Sequence, residues 1–441
     1  MLDHAPRDES TEKSTGALAD GMAMSLAAGG AAVVGMLSWL YVARTVSAAD
    51  VGRAAAFVAA FQVVAGCTEI NLGVALLRWL PHAGSRTSAL LTRCAVAVAA
   101  LSAVAGALYL LVPGAATVLD ALGGDRPALT AAVFVAACVG WALFQQQDFV
   151  LVGLGRPWWA PARTGLFAAT RVAVFVVAGG ALSAAVVVWS WVLPMAVCVA
   201  AAGVTTWWWS RGTRTTEHDT LPRRREVLGF LGPTYVGQVG VTLLVGLVPL
   251  TATIGLGPDL GGRFFLLWQG VTVVDVVAQY FVSSLAGAVA RDPDHGEAHR
   301  LAARRRLLVL MTPALLLGVA LAHPVLLLFG PAYAAHADAL RVLLVGVAFR
   351  LWVVHRLGAH QAFGRSVRFA TLSVVSTALV VGGVLATPWL ARTASTVDPL
   401  VLLAGCYAAT QAGCVLVLAA ADAARARTAR TTRADPTTQP A

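Results

Sequence analysis

The sequence predicts an all-α polytopic membrane protein of about 12 transmembrane helices in two similar halves. Three observations predict it. Of the 441 residues, 58% are hydrophobic and only 12% charged, whereas a soluble domain carries about twice that charged fraction. The apolar residues fall in runs of about 20, the length that crosses a bilayer as a helix. Arginines gather in every second link between those runs, as the positive-inside rule requires.

The spans follow in order as 18–43, 53–78, 88–112, 128–153, 160–181, 184–208, 228–255, 263–288, 306–329, 338–362, 367–389 and 399–422. The first two form a hairpin, Ala43 to Pro81. A short polar link holds Thr45 to Asp50, and Gly52 opens a helix expected to carry Glu69 and Asn71 in its body. A weaker copy begins near Ala252, where Asp259-Leu260-Gly261 joins two apolar segments and the second contains Asp275. Counted from Gly52 and Gly261, Glu69 and Asp275 differ by about one turn and share a similar face.

One set of links holds Arg86, Arg93, Arg156, Arg211, Arg214, Arg223 to Arg225, Arg291, Arg300, Arg304 to Arg306, Arg365, Arg368 and the tail arginines; the other holds little beyond Arg44, Arg53, Arg126, Arg263, Arg341 and Arg392. This places both termini in the cytoplasm and favours an even number of spans. Trp79, Trp158, Trp159, Trp207 to Trp209 and Trp389 fall at span ends, where indole rings prefer the interface. The longest polar interruption, Arg211 to Arg225, is the natural boundary between halves. The expected organisation is a cytoplasmic tail over 1–17, an N-terminal lobe over 18–210, a cytoplasmic linker over 211–227, a C-terminal lobe over 228–422 and a disordered cytoplasmic tail over 423–441. The tail over 1–16 is polar and lacks a cleavable-signal pattern.

The net charge of +10 rests on arginine, Lys13 being the lone lysine. Because these arginines flank apolar segments, they point to anionic membrane lipids and not to nucleic acid. The six cysteines lie in apolar runs without metal-ligand spacing and read as small apolar fillers. No phosphate loop, dinucleotide fingerprint, HExxH or nucleophile elbow occurs. No cofactor and no catalytic residue is expected. His295 and His299, four residues apart, read as a solvated loop rather than as metal ligands.

What remains is a set of ionisable groups within spans, where such groups face a bundle interior or a wet cavity. Arg171, Arg350 and Arg356 are candidate substrate-binding cations; Arg356 also reads as snorkelling to headgroups. Glu69, Asp275 and Asp148 are candidate ion-coupling carboxylates. Asp148 reads equally as an interfacial residue or as a structural partner of Arg171. Span seven holds Gly232, Pro233 and Pro249, a candidate hinge, with close packing through small residues as the plainer reading.

Ala43-Arg44-Thr45, Ala49-Asp50-Val51-Gly52 and Asn71-Leu72-Gly73-Val74-Ala75 resemble the opening hairpin of the Wzx-type polysaccharide flippases of the multidrug/oligosaccharidyl-lipid/polysaccharide exporter superfamily. Gly153-Leu154-Gly155-Arg156, Leu328-Phe329-Gly330-Pro331-Ala332-Tyr333 and Ala362-Phe363-Gly364-Arg365 are similar to that family's turns, so the resemblance runs from about residue 18 to 420. It implies two six-helix lobes around a central cavity and alternating access. It further implies a polyprenyl-pyrophosphate-linked oligosaccharide as substrate, carried across the plasma membrane to the outer leaflet. Arginines would accept the pyrophosphate, and carboxylates would bind H⁺ or Na⁺. An exporter of small molecules with the same fold, a membrane enzyme of envelope glycan assembly and a membrane scaffold are the alternatives.

Overall fold

The computed structural model describes residues 30, 33–69, 72–123, 125–211, 224–394 and 396–434. Among the described residues it is helical throughout, without a strand. In chain order the helices are α1 (33–45), α2 (Ala48–Thr68), α3 (Leu72–Trp79), α4 (Thr87–Tyr109), α5 (Ala115–Leu119), α6 (Pro127–Gly153), α7 (Trp159–Ala178) and α8 (Ala184–Arg211). They continue as α9 (Arg224–Leu256), α10 (Pro258–Arg291), α11 (Gly296–Ala320), α12 (Ala322–Leu327), α13 (Pro331–Ala334), α14 (Ala337–Ala362), α15 (Ser366–Thr393) and α16 (Pro399–Ala434).

Over the described residues the predicted spans fall on helix, apart from the break at Glu69, the bend at Leu321 and turns at span ends. Eight helices among the described residues are long and apolar enough to cross a membrane by length and composition. The first span is described only over its second half. The ninth is divided, because α11 bends at Leu321 and its apolar stretch continues as α12. Large apolar side chains such as Leu111, Val176, Val177, Trp208 and Leu416 are exposed, as helices that face lipid require. The protein is therefore a multi-pass membrane protein.

Two predicted boundaries differ. The second span is not one helix: α2 ends at Thr68, and Glu69 stands at the break before α3 instead of in a helix body. At the far end, α16 continues past Asp422 to Ala434, because its Ala- and Arg-rich sequence favours helix strongly. The linker expected over 211–227 lies mostly outside the described residues, as do Asn71 and the termini.

The chain divides into two compact units, Met1–Phe265 and Leu266–Ala441. In the first, α2 is the central helix, with residues from Val51 to Thr68 buried along most of its length. Phe57, Phe61, Phe134, Trp141 and Trp191 pack edge to face around it. Within this unit the start of α2 crosses the start of α10 at two glycines. A Cβ on Gly52 would lie 1.9 Å from the Pro258 carbonyl oxygen, and one on Gly262 would lie 2.1 Å from the Ala48 carbonyl oxygen. Each glycine thus meets the backbone of the residue four before the other, a reciprocal crossing of the two sequence copies. Gly262→Leu is expected to push the backbones apart at a cost of about 1–3 kcal/mol, read as a lower thermal midpoint of the purified protein. An unchanged midpoint would mean that the crossing is not tight.

In the second unit α14 packs along α16, where Gly346 leaves room for the Tyr407 ring. Trp268 meets that ring edge-on at 5.3 Å. The turns after α6 and α14 are alike. Gly155 and Gly364 both adopt positive φ, and Arg156 and Arg365 donate N–H bonds back to Leu151 and His360. This is the glycine-terminated helix end that only a residue without Cβ enters freely.

Candidate functional site

α7 turns one face inward, and that face carries Arg163, Phe167 and Arg171 at successive fourth positions. Arg171 is 1% exposed. Its guanidinium carbon stands 4.3 Å from the Trp191 ring centroid and 5.8 Å from that of Phe167. Its Nε and Nη2 have no hydrogen-bond partner among the described residues, and neither does Trp191 Nε1. Cation–π contact offers about 2 kcal/mol in a desolvated place. Removing an ion from water costs several kcal/mol, so this contact leaves the charge underpaid. A guanidinium held open in this way is complementary to an anion.

Eight residues earlier, Arg163 is ion-paired, although its Nε has no hydrogen-bond partner among the described residues. Its Nη2 lies 2.6 Å from Asp148 Oδ1, its Nη1 donates to the Phe144 carbonyl at 2.6 Å and to Gln147 Oε1 at 3.1 Å, and its face covers the Phe144 ring. The structural partner of Asp148 is therefore Arg163 and not Arg171. Arg163 was not singled out from the sequence, although it lies inside the fifth span. Its spacing of two turns from Arg171 was the available signal.

In the second unit Arg350 and Asp275 form a buried ion pair, with Arg350 Nε 3.2 Å from Asp275 Oδ1 and the side chains 3% and 6% exposed. The two residues predicted for separate duties hold each other. Tyr407 Oη and both amide atoms of Gln411, one turn further along α16, are buried without a hydrogen-bond partner among the described residues. Neither residue was singled out from the sequence, because a tyrosine and a glutamine in an apolar run carry no charge to flag them. Arg356 is ion-paired with Asp422.

Glu69 serves the backbone. Its Oε1 accepts from the Gly73 N–H at 2.7 Å, capping α3. Beside the break, Tyr235 Oη donates to the Cys67 carbonyl. α9 runs unbroken through Gly232, Pro233 and Pro249. His295 and His299 both turn onto Asp292, at 3.0 and 3.3 Å. The His295 hydrogen bond is the main cause holding the Asp292 carboxyl below its ordinary 3.8, with His299 adding to it. The clasp therefore contributes above that ordinary value and is lost as pH falls through the lowered one.

No family model matches the chain, and no curated protein matches it in sequence. Solved structures do match in fold. The lipid II flippase MurJ in an inward closed conformation aligns with a TM-score of 0.65 at 11% identity, over 90% of this chain and 87% of that one. An inward-facing multidrug-resistance MATE transporter of the MOP superfamily aligns with a TM-score of 0.64 at 15% identity, over 88% and 92%. A MATE structure in the straight conformation aligns with a TM-score of 0.55 at 15% identity, over 91% and 93%. This chain thus has the transporter fold shared by the MATE exporters and the MurJ flippase.

Proposed function

We propose that this protein is a flippase that moves a polyprenyl-pyrophosphate-linked oligosaccharide from the cytoplasmic to the outer leaflet of the plasma membrane, with both termini in the cytoplasm. Arg171 carries the proposal: a buried guanidinium with open N–H groups suits a pyrophosphate, which cannot cross hydrocarbon unpaired. The prenyl tail stays in lipid while the headgroup passes through. Arg350 and Arg356 are proposed as further substrate contacts, reached when the substrate displaces Asp275 and Asp422. Gly232, Pro233 and Pro249 are proposed as the hinge of the movement. Coupling to H⁺ or Na⁺ through Glu69, Asp148 or Asp275 requires release of the contact each now makes, since a bound ion shifts an equilibrium only by its differential affinity. The lobes are proposed as 18–210 and 228–422.

Export of small molecules is the second reading, favoured by the MATE likeness, which equals the likeness to MurJ. A cationic drug would be repelled by Arg171; an anionic one would not. The test is mass spectrometry of lipid-linked oligosaccharides in cells depleted of the protein. Build-up of complete repeat units on the polyprenyl carrier, shielded from an outer-face probe, is the expected result and identifies the glycan. Truncated glycans would move the assignment to an assembly enzyme.

A further inference from the structure

Within the second unit, where α11 begins and α14 ends, hydrogen-bond donors gather without matching acceptors. α11 presents Glu297, Arg300 and Arg304 along one face. α14 brings Trp352, His355 and Arg356. Arg304 stands over Trp352, its guanidinium carbon 5.6 Å from the ring centroid. His355 is 4% exposed, and the charges acting on it are chiefly those of Arg300, Arg304 and Arg356. His355 Nε2 and Trp352 Nε1 are buried without a hydrogen-bond partner among the described residues.

The acceptors in this cluster are taken. Glu297 is held by Arg300, whose Nε reaches both carboxylate oxygens at 2.9 and 3.0 Å, and that contact is the main cause keeping the carboxyl below the usual range. Asp422 is held by Arg356. Arg365 acts on Glu297 as well. Among the described residues, Arg300, Arg304 and Arg365 thus gather around the single carboxylate of Glu297, an excess of positive charge. Guanidinium and indole groups only donate. The positive-inside rule accounts for exposed neighbours such as Arg305 and Arg306. It does not account for a buried indole N–H and a buried imidazole nitrogen without hydrogen-bond partners among the described residues.

We propose that this cluster binds a phosphate group carrying two negative charges, as a phosphate monoester or a pyrophosphate. Arg304 and Arg300 supply charge-assisted bonds, and Trp352 and His355 supply neutral donors through Nε1 and Nε2. A phosphate spreads its acceptors over three or more oxygens and carries close to two negative charges, whereas a carboxylate carries one. By the charge distribution along the chain, the cluster lies at the cytoplasmic ends of its helices. The inference stands apart from the oligosaccharide reading, because a phospholipid headgroup and a soluble phosphate meet the same donors.

The test uses the full-length protein in a neutral detergent, titrated with inorganic pyrophosphate and followed by tryptophan fluorescence and native mass spectrometry. Saturable binding is expected, weakened at least tenfold in Arg304→Gln and in His355→Gln. Trp352→Phe keeps the ring and removes the N–H; it is expected to weaken binding while leaving the thermal midpoint near wild type. Phosphatidic acid that competes with pyrophosphate would identify a lipid-borne phosphate as the ligand; binding without such competition would identify a soluble one. Absence of binding, or equal binding by wild type and all three variants, would overturn the site whatever the transport result.

Discussion

Arg171→Met is expected to abolish substrate translocation while leaving the purified protein as stable as wild type or more so. The two effects follow from one observation. Arg171 is enclosed by Trp191 and Phe167, with Nε and Nη2 unpartnered among the described residues. Replacing a buried charge by an apolar side chain of similar volume is often neutral or stabilising by about 1–4 kcal/mol. The open Nε and Nη2, unmatched among the described residues, make the stabilising outcome the expected one here. A residue kept for packing would lose stability on substitution; a residue kept for binding an anion loses only function. Thermal unfolding in detergent and transport in membranes, measured on the same variant, separate the two. A destabilised but active Arg171→Met would remove Arg171 from the substrate path.

The second large effect is at Arg350 and Asp275. Because the two form a buried pair, either single change strands a charge. Arg350→Ala and Asp275→Asn are each expected to cost about 3–5 kcal/mol, visible as lower yield and a lower thermal midpoint. Arg350→Met combined with Asp275→Leu removes both charges and is expected to recover most of that loss. Loss of transport in Arg350→Ala alone would mix lost binding with lost folding, whereas the double variant separates them. If Arg350 contacts substrate, the double variant folds and does not transport. If it transports normally, the pair is structural and Asp275 does not couple an ion.

The helical layout was legible because bilayer thickness fixes the length of an apolar run, and over the described residues the expected spans fall largely on helix. The break at Glu69 was hidden for the same reason: a stretch of about 26 residues satisfies a hydropathy reading whether or not its backbone is continuous. The glycines at the two repeated links stood out in the sequence, although the structure pairs Gly52 with Gly262 where Gly261 was the expected counterpart. Single charges inside spans could be found; their partners could not. Asp148 and Arg163 are adjacent only through the packing of α6 against α7, and Arg350 meets Asp275 across 75 residues. Arg171 was identifiable as a buried cation, but the two nitrogens that lack hydrogen-bond partners among the described residues emerge only when its neighbours are known. Tyr407 and Gln411 illustrate the limit. Buried polar groups without charge look like ordinary residues of a membrane helix until their hydrogen bonds are counted.

The most direct measurement is transbilayer movement of a polyprenyl-pyrophosphate-linked oligosaccharide in vesicles holding only the purified protein, for wild type and for Arg171→Met. Wild type is expected to move the lipid to the face where a glycan-cleaving probe reaches it, and the variant, equally folded, to leave it protected. Equal movement by both would contradict the role of Arg171; no movement by wild type, together with export of a small cationic dye, would contradict the flippase assignment itself.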